Sequence, residues 1–304
     1  MKAVQKAISQ ILPFVPKPIV GFFAKTYIAG ENLEDAVHVV KDLMAQGACA
    51  TIDVLGEEVT EKEHALKVAD MYHTVVQTIN EEKLDSTVSI KLTHMGLKID
   101  EDFCYDNVSD LLREAKKYNN LITIDMEDHT FTTGTLKMFK RLRKEHENVG
   151  TVLQSYMRRT VSDVNDLLPI KPHLRICKGI YNEPREIAYK DDFTINQNFT
   201  YAIEKLLSNN SYVGVATHDE RLVWEAFRII DKYNLNKDQY EFQMLLGVDK
   251  QLRQIILNAG HKLRVYVPFG KEWFAYSTRR LKENPNIAGH IMRSNLKKAL
   301  SRNK

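Results

Sequence analysis

The stretch YSTRRLKEN places Tyr276, Arg279, Arg280 and Glu283 at i, i+3, i+4 and i+7, which is one face of a helix. Two neighbouring guanidinium groups on such a face can grip a carboxylate through bidentate, charge-assisted bonds. An ordinary surface pair between Arg279 and Glu283 is the alternative. RICKGIY brings Arg175 and Lys178 together and follows them with Gly179, where the backbone can approach an anion closely. Thr217 and His218 are adjacent hydrogen-bonding groups, and Gln154 can both donate and accept, which suits an amide-like ring edge. In SIKLT, Ser89, Lys91 and Thr93 alternate with Val88, Ile90 and Leu92, so the lysine falls on one defined strand face. A lysine inside a fold is costly unless paired. It either snorkels outward or meets an anion, and Asp125 of IDMEDH is the natural partner. No HxH, HxxxH, HExxH or CxxC spacing occurs, so no metal is expected. A set rich in cations and poor in metal ligands points to an anionic cofactor with a carboxylate substrate.

These residues need a scaffold. After a helix over 31–47 ended by Gly47, short apolar or β-branched runs alternate with helical patterns. Strands are expected at 48–56, 86–93, 121–128, 149–156, 173–180, 211–219, 240–247 and 262–270. Helices are expected at 61–80, 102–118, 133–147, 160–167, 195–209, 219–233, 249–259 and 271–284. Parallel strands need such crossovers. Eight units suit a closed (β/α)8 barrel, a TIM-type α/β fold. An open doubly wound sheet fits less well, because no GxGxxG follows the first strand. The expected organisation is a single domain: a helical extension over residues 1–47 and a catalytic barrel over 48–304. In a barrel the strand C-termini carry the chemistry. Lys91, Asp125, Gln154, Arg175, Lys178, Thr217, His218 and Tyr266 all sit at such ends.

Composition narrows the class. Of 304 residues, 43% are hydrophobic and 27% charged, an ordinary globular balance. A net charge of +3 is too small to argue for nucleic acid. Residues 1–30 hold four lysines and no acid, and 290–304 are also purely basic, so the middle is net acidic. Cys49, Cys104 and Cys177 are too sparse for a disulfide framework, which fits a reducing, cytoplasmic setting. No apolar run is long enough to span a membrane, and the N-terminus lacks a signal-peptide pattern.

With these residues in place, the chain resembles the proline dehydrogenases along roughly residues 48–284. The most specific element is Tyr276, Arg279, Arg280, Glu283 and Asn284. Arg175 with Lys178–Gly179, Thr217–His218 and FQMLLG support it. The resemblance implies a distorted barrel with the last helix over its mouth and FAD at the strand C-termini. It implies that Arg279 and Arg280 clamp the substrate carboxylate. Lys91, Tyr266 and Tyr276 are implied to line the proline pocket, and Glu283 to orient an arginine. Asp125 and Arg175 are the implied catalytic residues. Met126, Gln154, Arg175, Lys178, Gly179, Ile180, Thr217 and His218 are the implied flavin contacts. The implied reaction takes L-proline to Δ1-pyrroline-5-carboxylate and sends electrons to a membrane quinone. The chain departs from the family pattern at Asn182, where some relatives have a tryptophan, and in PNIAGH after Asn284.

Two points stay open at this stage. The basic N-terminal segment, with Ile11, Leu12, Phe14, Phe22 and Phe23, either caps the barrel or lies on the inner face of the cell membrane. A Schiff-base aldolase, with Lys91 or Lys178 as nucleophile and Arg175 holding a phosphate, is a competing chemistry on the same barrel. A barrel without catalysis and a folate-linked flavin reductase are further alternatives.

Overall fold

The structure is a computed structural model that describes residues 26–274, 276 and 277. Helix α1 (Leu33–Ala45) leads into β1 (Cys49–Val54), and the βα rhythm begins. It continues through α2 (Lys62–Glu81), β2 (Ser86–Ile90), α3 (Glu101–Lys117), β3 (Ile122–Ile124), α4 (His129–Arg143) and β4 (Val149–Gln154). Then come α5 (Thr160–Leu167), β5 (His173–Cys177), α6 (Asp192–Leu207), β6 (Tyr212–Ala216), α7 (Glu220–Lys232), β7 (Tyr240–Leu245), α8 (Lys250–Asn258) and β8 (Leu263–Phe269). The eight strands pair in parallel and in sequence order, and β8 returns to β1. The expected (β/α)8 barrel is thus the observed fold.

Strand alternation divides the side chains between two environments. Ile52, Val88, Ile90, Ile122, Ile124, Leu174, Ile176, Val213, Val215, Phe242, Val265 and Val267 pack outward into the apolar layer beneath the helices. The other parity fills the lumen. Barrel interiors are commonly packed with branched aliphatics. Here Asp53, Ser89, Lys91, Asp125, Arg175, Glu241, Gln243 and Arg264 are buried instead. Side-chain hydrogen bonds from β5 to β2 and β7, and ion pairing from β5 to the end of β3, place these groups across the lumen from one another.

The loops on the C-terminal face end in aspartates that cap the next helix. Asp100, Asp128, Asp191, Asp219 and Asp249 each accept a hydrogen bond from a first-turn amide, each cap contributing about 1 kcal/mol. The Asp128 cap starts α4 four residues before the expected 133. β3 is shorter than expected because the chain leaves the sheet after Ile124, although the Asp125 amide still donates to Ile90.

The N-terminal segment meets the end of the barrel. Ala29 N–H donates to the Pro268 carbonyl and Gly270 N–H to that of Gly30. Tyr27, Ile28, Leu55 and Tyr276 form a small apolar cluster against Trp273, whose indole N–H donates to Glu31 at 3.1 Å. Trp273, Phe274, Tyr276 and Ser277 are helical. Lys271 and Glu272 form a turn rather than the expected start of the helix over 271–284, and the rest of that helix lies outside the described residues.

Gly179, just past β5, has a φ of +109° and leaves no room for a side chain, since a Cβ there would overlap the Tyr156 ring. Gly179→Ala should therefore lower stability by roughly 2–5 kcal/mol. Urea unfolding checks this, and an unchanged midpoint would contradict the backbone strain assigned here.

Candidate active site

The lumen side chains gather at the C-terminal mouth. Lys91 Nζ lies 2.7 Å from Asp53 Oδ1. Asp125 receives one hydrogen bond from the Arg175 guanidinium and another from Tyr266 Oη at 2.7 Å. Arg175 also donates to Ser89 Oγ at 2.9 Å and to Gln243 Oε1 at 2.6 Å. Its guanidinium carbon lies 5.4 Å from the Tyr266 ring centre.

This corrects one expectation. The partner of Lys91 is Asp53, not Asp125. The β1–β2 register sets Asp53 beside Ser89, which brings its carboxylate next to the lysine two residues on. Asp125 reaches across the lumen to β5 instead. Burial would lower the Lys91 pKa, but the Asp53 and Asp125 carboxylates hold it well above the usual lysine range. Lys91 is therefore a fixed cation. A Schiff-base nucleophile needs the opposite, an amine that gives up its proton near neutrality.

The mouth is uneven. On one side Val54, Leu55, residues 90–96 and residues 122–127 are buried. On the other, Cys177, Lys178, Gly179, Ile180, Tyr181, His218 and residues 245–248 are part-exposed. Lys178 Nζ sits 2.6 Å from Asp219 Oδ2. Burial would raise the Asp219 pKa, but the Lys178 hydrogen bond and charge hold it below its usual value. Thr217 Oγ1 accepts from the Asp219 amide at 3.0 Å. His218 Nε2 accepts from the Leu245 amide at 2.8 Å, so this nitrogen carries no proton. Gln154 Nε2 donates to the Glu127 carbonyl at 3.0 Å, and Met126 is buried beside it. The structure thus gathers Gln154, Arg175, Lys178, Gly179, Ile180, Thr217 and His218 at the ends of β4–β6. Part-exposed Lys178 and His218, with buried Gln154, Arg175 and Thr217, offer two cations, a hydroxyl, an imidazole and an amide to a group with phosphates and a polar ring edge, as FAD has.

A cavity of about 300 Å³ opens beside Lys91, bounded by Leu55, Gly56, His94, Glu272 and Tyr276. Lys91 and Tyr276 therefore lie on the β8–β1–β2 side of the mouth, while Tyr266 reaches from β8 to Asp125 and Arg175. Arg279, Arg280 and Glu283 lie outside the described residues. No cluster of metal-ligating side chains occurs among the described residues, and no described helix is long and apolar enough to cross a membrane.

Sequence reasoning passed over Asp53, Ser89, Gln243 and Glu127 as site residues. The first three share the inward strand parity, a signal present in the alternation. Glu127 accepts from the Thr93 amide at 3.2 Å and from the Thr93 hydroxyl. Burial pushes its pKa up from 4.5 to about 7. A carboxyl raised on folding contributes stability that is fully present below its unfolded pKa and is lost as pH rises through the folded one. Unfolding free energy should therefore fall by ~3 kcal/mol between about pH 4.5 and pH 7 on account of this residue. Denaturant titrations across that window should show the fall in the native protein and its loss in Glu127→Gln.

Comparison with known proteins agrees with this architecture. The sequence profile of the family described as Proline dehydrogenase matches residues 36–181 and 184–293. Proline dehydrogenase 1 of Bacillus subtilis (strain 168) is 36% identical over 275 residues, covering 90% of this chain and 91% of that protein. Proline dehydrogenase of Deinococcus radiodurans is 36% identical over 279 residues, covering 90% of each chain. The crystal structure of proline utilization A from Bdellovibrio bacteriovorus, inactivated by N-propargylglycine, superposes with a TM-score of 0.81 at 24% identity. That match covers 86% of this chain but only 32% of the other, so the chain spans about a third of that protein and the likeness concerns the fold. The family profile and the full-length relatives together decide the matter: the chain belongs to the proline dehydrogenase family.

Proposed function

We propose that the protein is a flavin-dependent oxidoreductase that converts L-proline to Δ1-pyrroline-5-carboxylate, the first step of proline catabolism to glutamate. Residues 48–304 form the catalytic barrel in this reading, and 1–47 its helical extension. The observation that carries it is the division of the mouth. A fixed lysine cation and Tyr276 stand on one side, part-exposed Lys178 and His218 on the other, and Tyr266, Asp125 and Arg175 between them.

Lys91, Arg279 and Arg280 take the proline carboxylate, with Glu283 orienting an arginine and Tyr266 and Tyr276 walling the ring. Met126, Gln154, Arg175, Lys178, Gly179, Ile180, Thr217 and His218 hold FAD. The two-electron oxidation at proline C5 is the chemistry that FAD supplies when bound. The protein's task is placement, and well-oriented reactants gain ~7–11 kcal/mol over unpositioned ones. Arg175 keeps a positive charge at the end of β5, and its bond to Asp125 fixes that carboxylate's direction. Asp125 either accepts the amine proton or steadies a proline that binds already deprotonated. A membrane quinone is the proposed electron acceptor, in keeping with the resemblance. The basic N-terminal segment is compatible with a cytoplasmic protein that touches the inner face of the membrane.

Anaerobic addition of L-proline to the FAD-supplemented protein should bleach the bound flavin band. A flavin band indifferent to proline would overturn the substrate, and failure to bind flavin would overturn the cofactor. Arg279→Met and Arg280→Met should each raise the KM for proline by roughly ten- to a hundredfold while flavin stays bound. Loss of flavin with normal proline affinity would remove the clamp.

A further inference from the structure

Below the mouth the lumen holds a second polar group that the reaction itself does not use. Glu241 on β7 accepts two hydrogen bonds from Arg264 on β8, Nε to Oε1 at 2.6 Å and Nη2 to Oε2 at 3.0 Å. Tyr212 Oη adds a third at 2.9 Å, and Lys262 lies 3.2 Å away. Arg264 spends its remaining terminal nitrogen on the Ala50 carbonyl. Burial would raise the Glu241 pKa, but the Arg264 charge and hydrogen bonds hold it down to about 2. Glu241 is therefore a carboxylate that only accepts.

Gln243 stands between this pair and the mouth. Its Nε2 donates to Glu241 Oε1 at 2.7 Å, and its Oε1 accepts from Arg175 Nε at 2.6 Å. The amide has one workable orientation. A carboxylate cannot donate and a guanidinium cannot accept, so nitrogen must face Glu241 and oxygen must face Arg175. The neighbouring strand makes room for it. A Cβ at Gly214 on β6 would lie 2.5 Å from Gln243 Nε2. Gly214 has ordinary strand backbone, so the missing side chain serves space rather than conformation.

We propose that Gln243 is a positioning residue for Arg175: anchored by Glu241–Arg264 and admitted by Gly214, it fixes the guanidinium from below and so sets where its charge stands at the mouth. The other Arg175 bonds run to Asp125 and Ser89. Neither engages Nε, so without Gln243 the planar group is free to turn about its remaining contacts. The consequence for a bound flavin rests on the function proposed above; the positioning itself does not.

The test uses Gln243→Leu, which keeps the bulk and removes the acceptor, and Gly214→Ala, which displaces the amide without altering it. The first readout is the Arg175 Nε–H signal in 15N NMR of the flavin-free protein, identified by its loss in Arg175→Lys. It should exchange slowly in the native chain and at least roughly tenfold faster in both variants. The second is the midpoint potential of the bound flavin. It should fall by about 30 mV in Gln243→Leu, a tenfold change in a two-electron equilibrium. Unaltered Nε–H protection in the variants overturns the positioning role. Should Gln243→Leu fail to fold, Gly214→Ala decides by the same two readouts. Lost protection with an unchanged potential overturns the link to flavin. A native flavin that ignores proline, together with lost protection in the variants, overturns the functional reading and upholds the positioning.

Discussion

A charge in the lumen of a closed barrel has no water to face, so it must find its opposite there. This chain places three carboxylates, Asp53, Asp125 and Glu241, against three cations, Lys91, Arg175 and Arg264. Desolvating so many ions is a heavy cost, and such pairs rarely add net stability over apolar packing. What they impose is mutual dependence. Removing one member strands its partner at a cost of about 3–5 kcal/mol. The Asp125–Arg175 pair and the Gln243–Arg175 bond also tie together strands that share no backbone ladder, β5 to the end of β3 and β5 to β7. The arrangement at the mouth is thus a property of the whole lumen.

The loops complete the arrangement with modest means. Asp219 caps α7 and also pairs with Lys178, so one side chain starts a helix and holds a cation on the part-exposed side of the mouth. Asp128 caps α4 while its neighbour Glu127 turns inward to Thr93. Two adjacent acids at the end of β3 thereby serve different masters. The difference arises from the direction in which the chain leaves the sheet after Ile124.

Much of the architecture was legible in the sequence, because βα alternation is a local signal and eight repeats admit few topologies. The strand-end residues were legible for the same reason. The partner of Lys91 was not. Asp53 and Asp125 follow the same inward parity, and only the three-dimensional register decides which carboxylate is a neighbour and which lies across the lumen. Glu241, Gln243 and Arg264 were visible as inward positions of YEFQMLL and LRVYVPF, but they sit away from the strand ends, where chemistry was sought. The roles given to Arg279, Arg280 and Glu283 rest on family likeness, because those residues lie outside the described structure.

The two ends of the described chain meet over the barrel. Tyr27 packs near Tyr276, and Glu31 receives the Trp273 indole bond. Almost the whole polypeptide separates these partners. Contacts of such long range carry the largest loop-closure entropy and form late. On the ribosome, the barrel's repeats can pair successively as they emerge, but the tyrosine side of the pocket cannot close until the last strand is out. Tyr27 and Glu31, made well before β8, must wait for their partners. For this fold, the pocket is complete only once the strand and helical turn that follow β7 have been made.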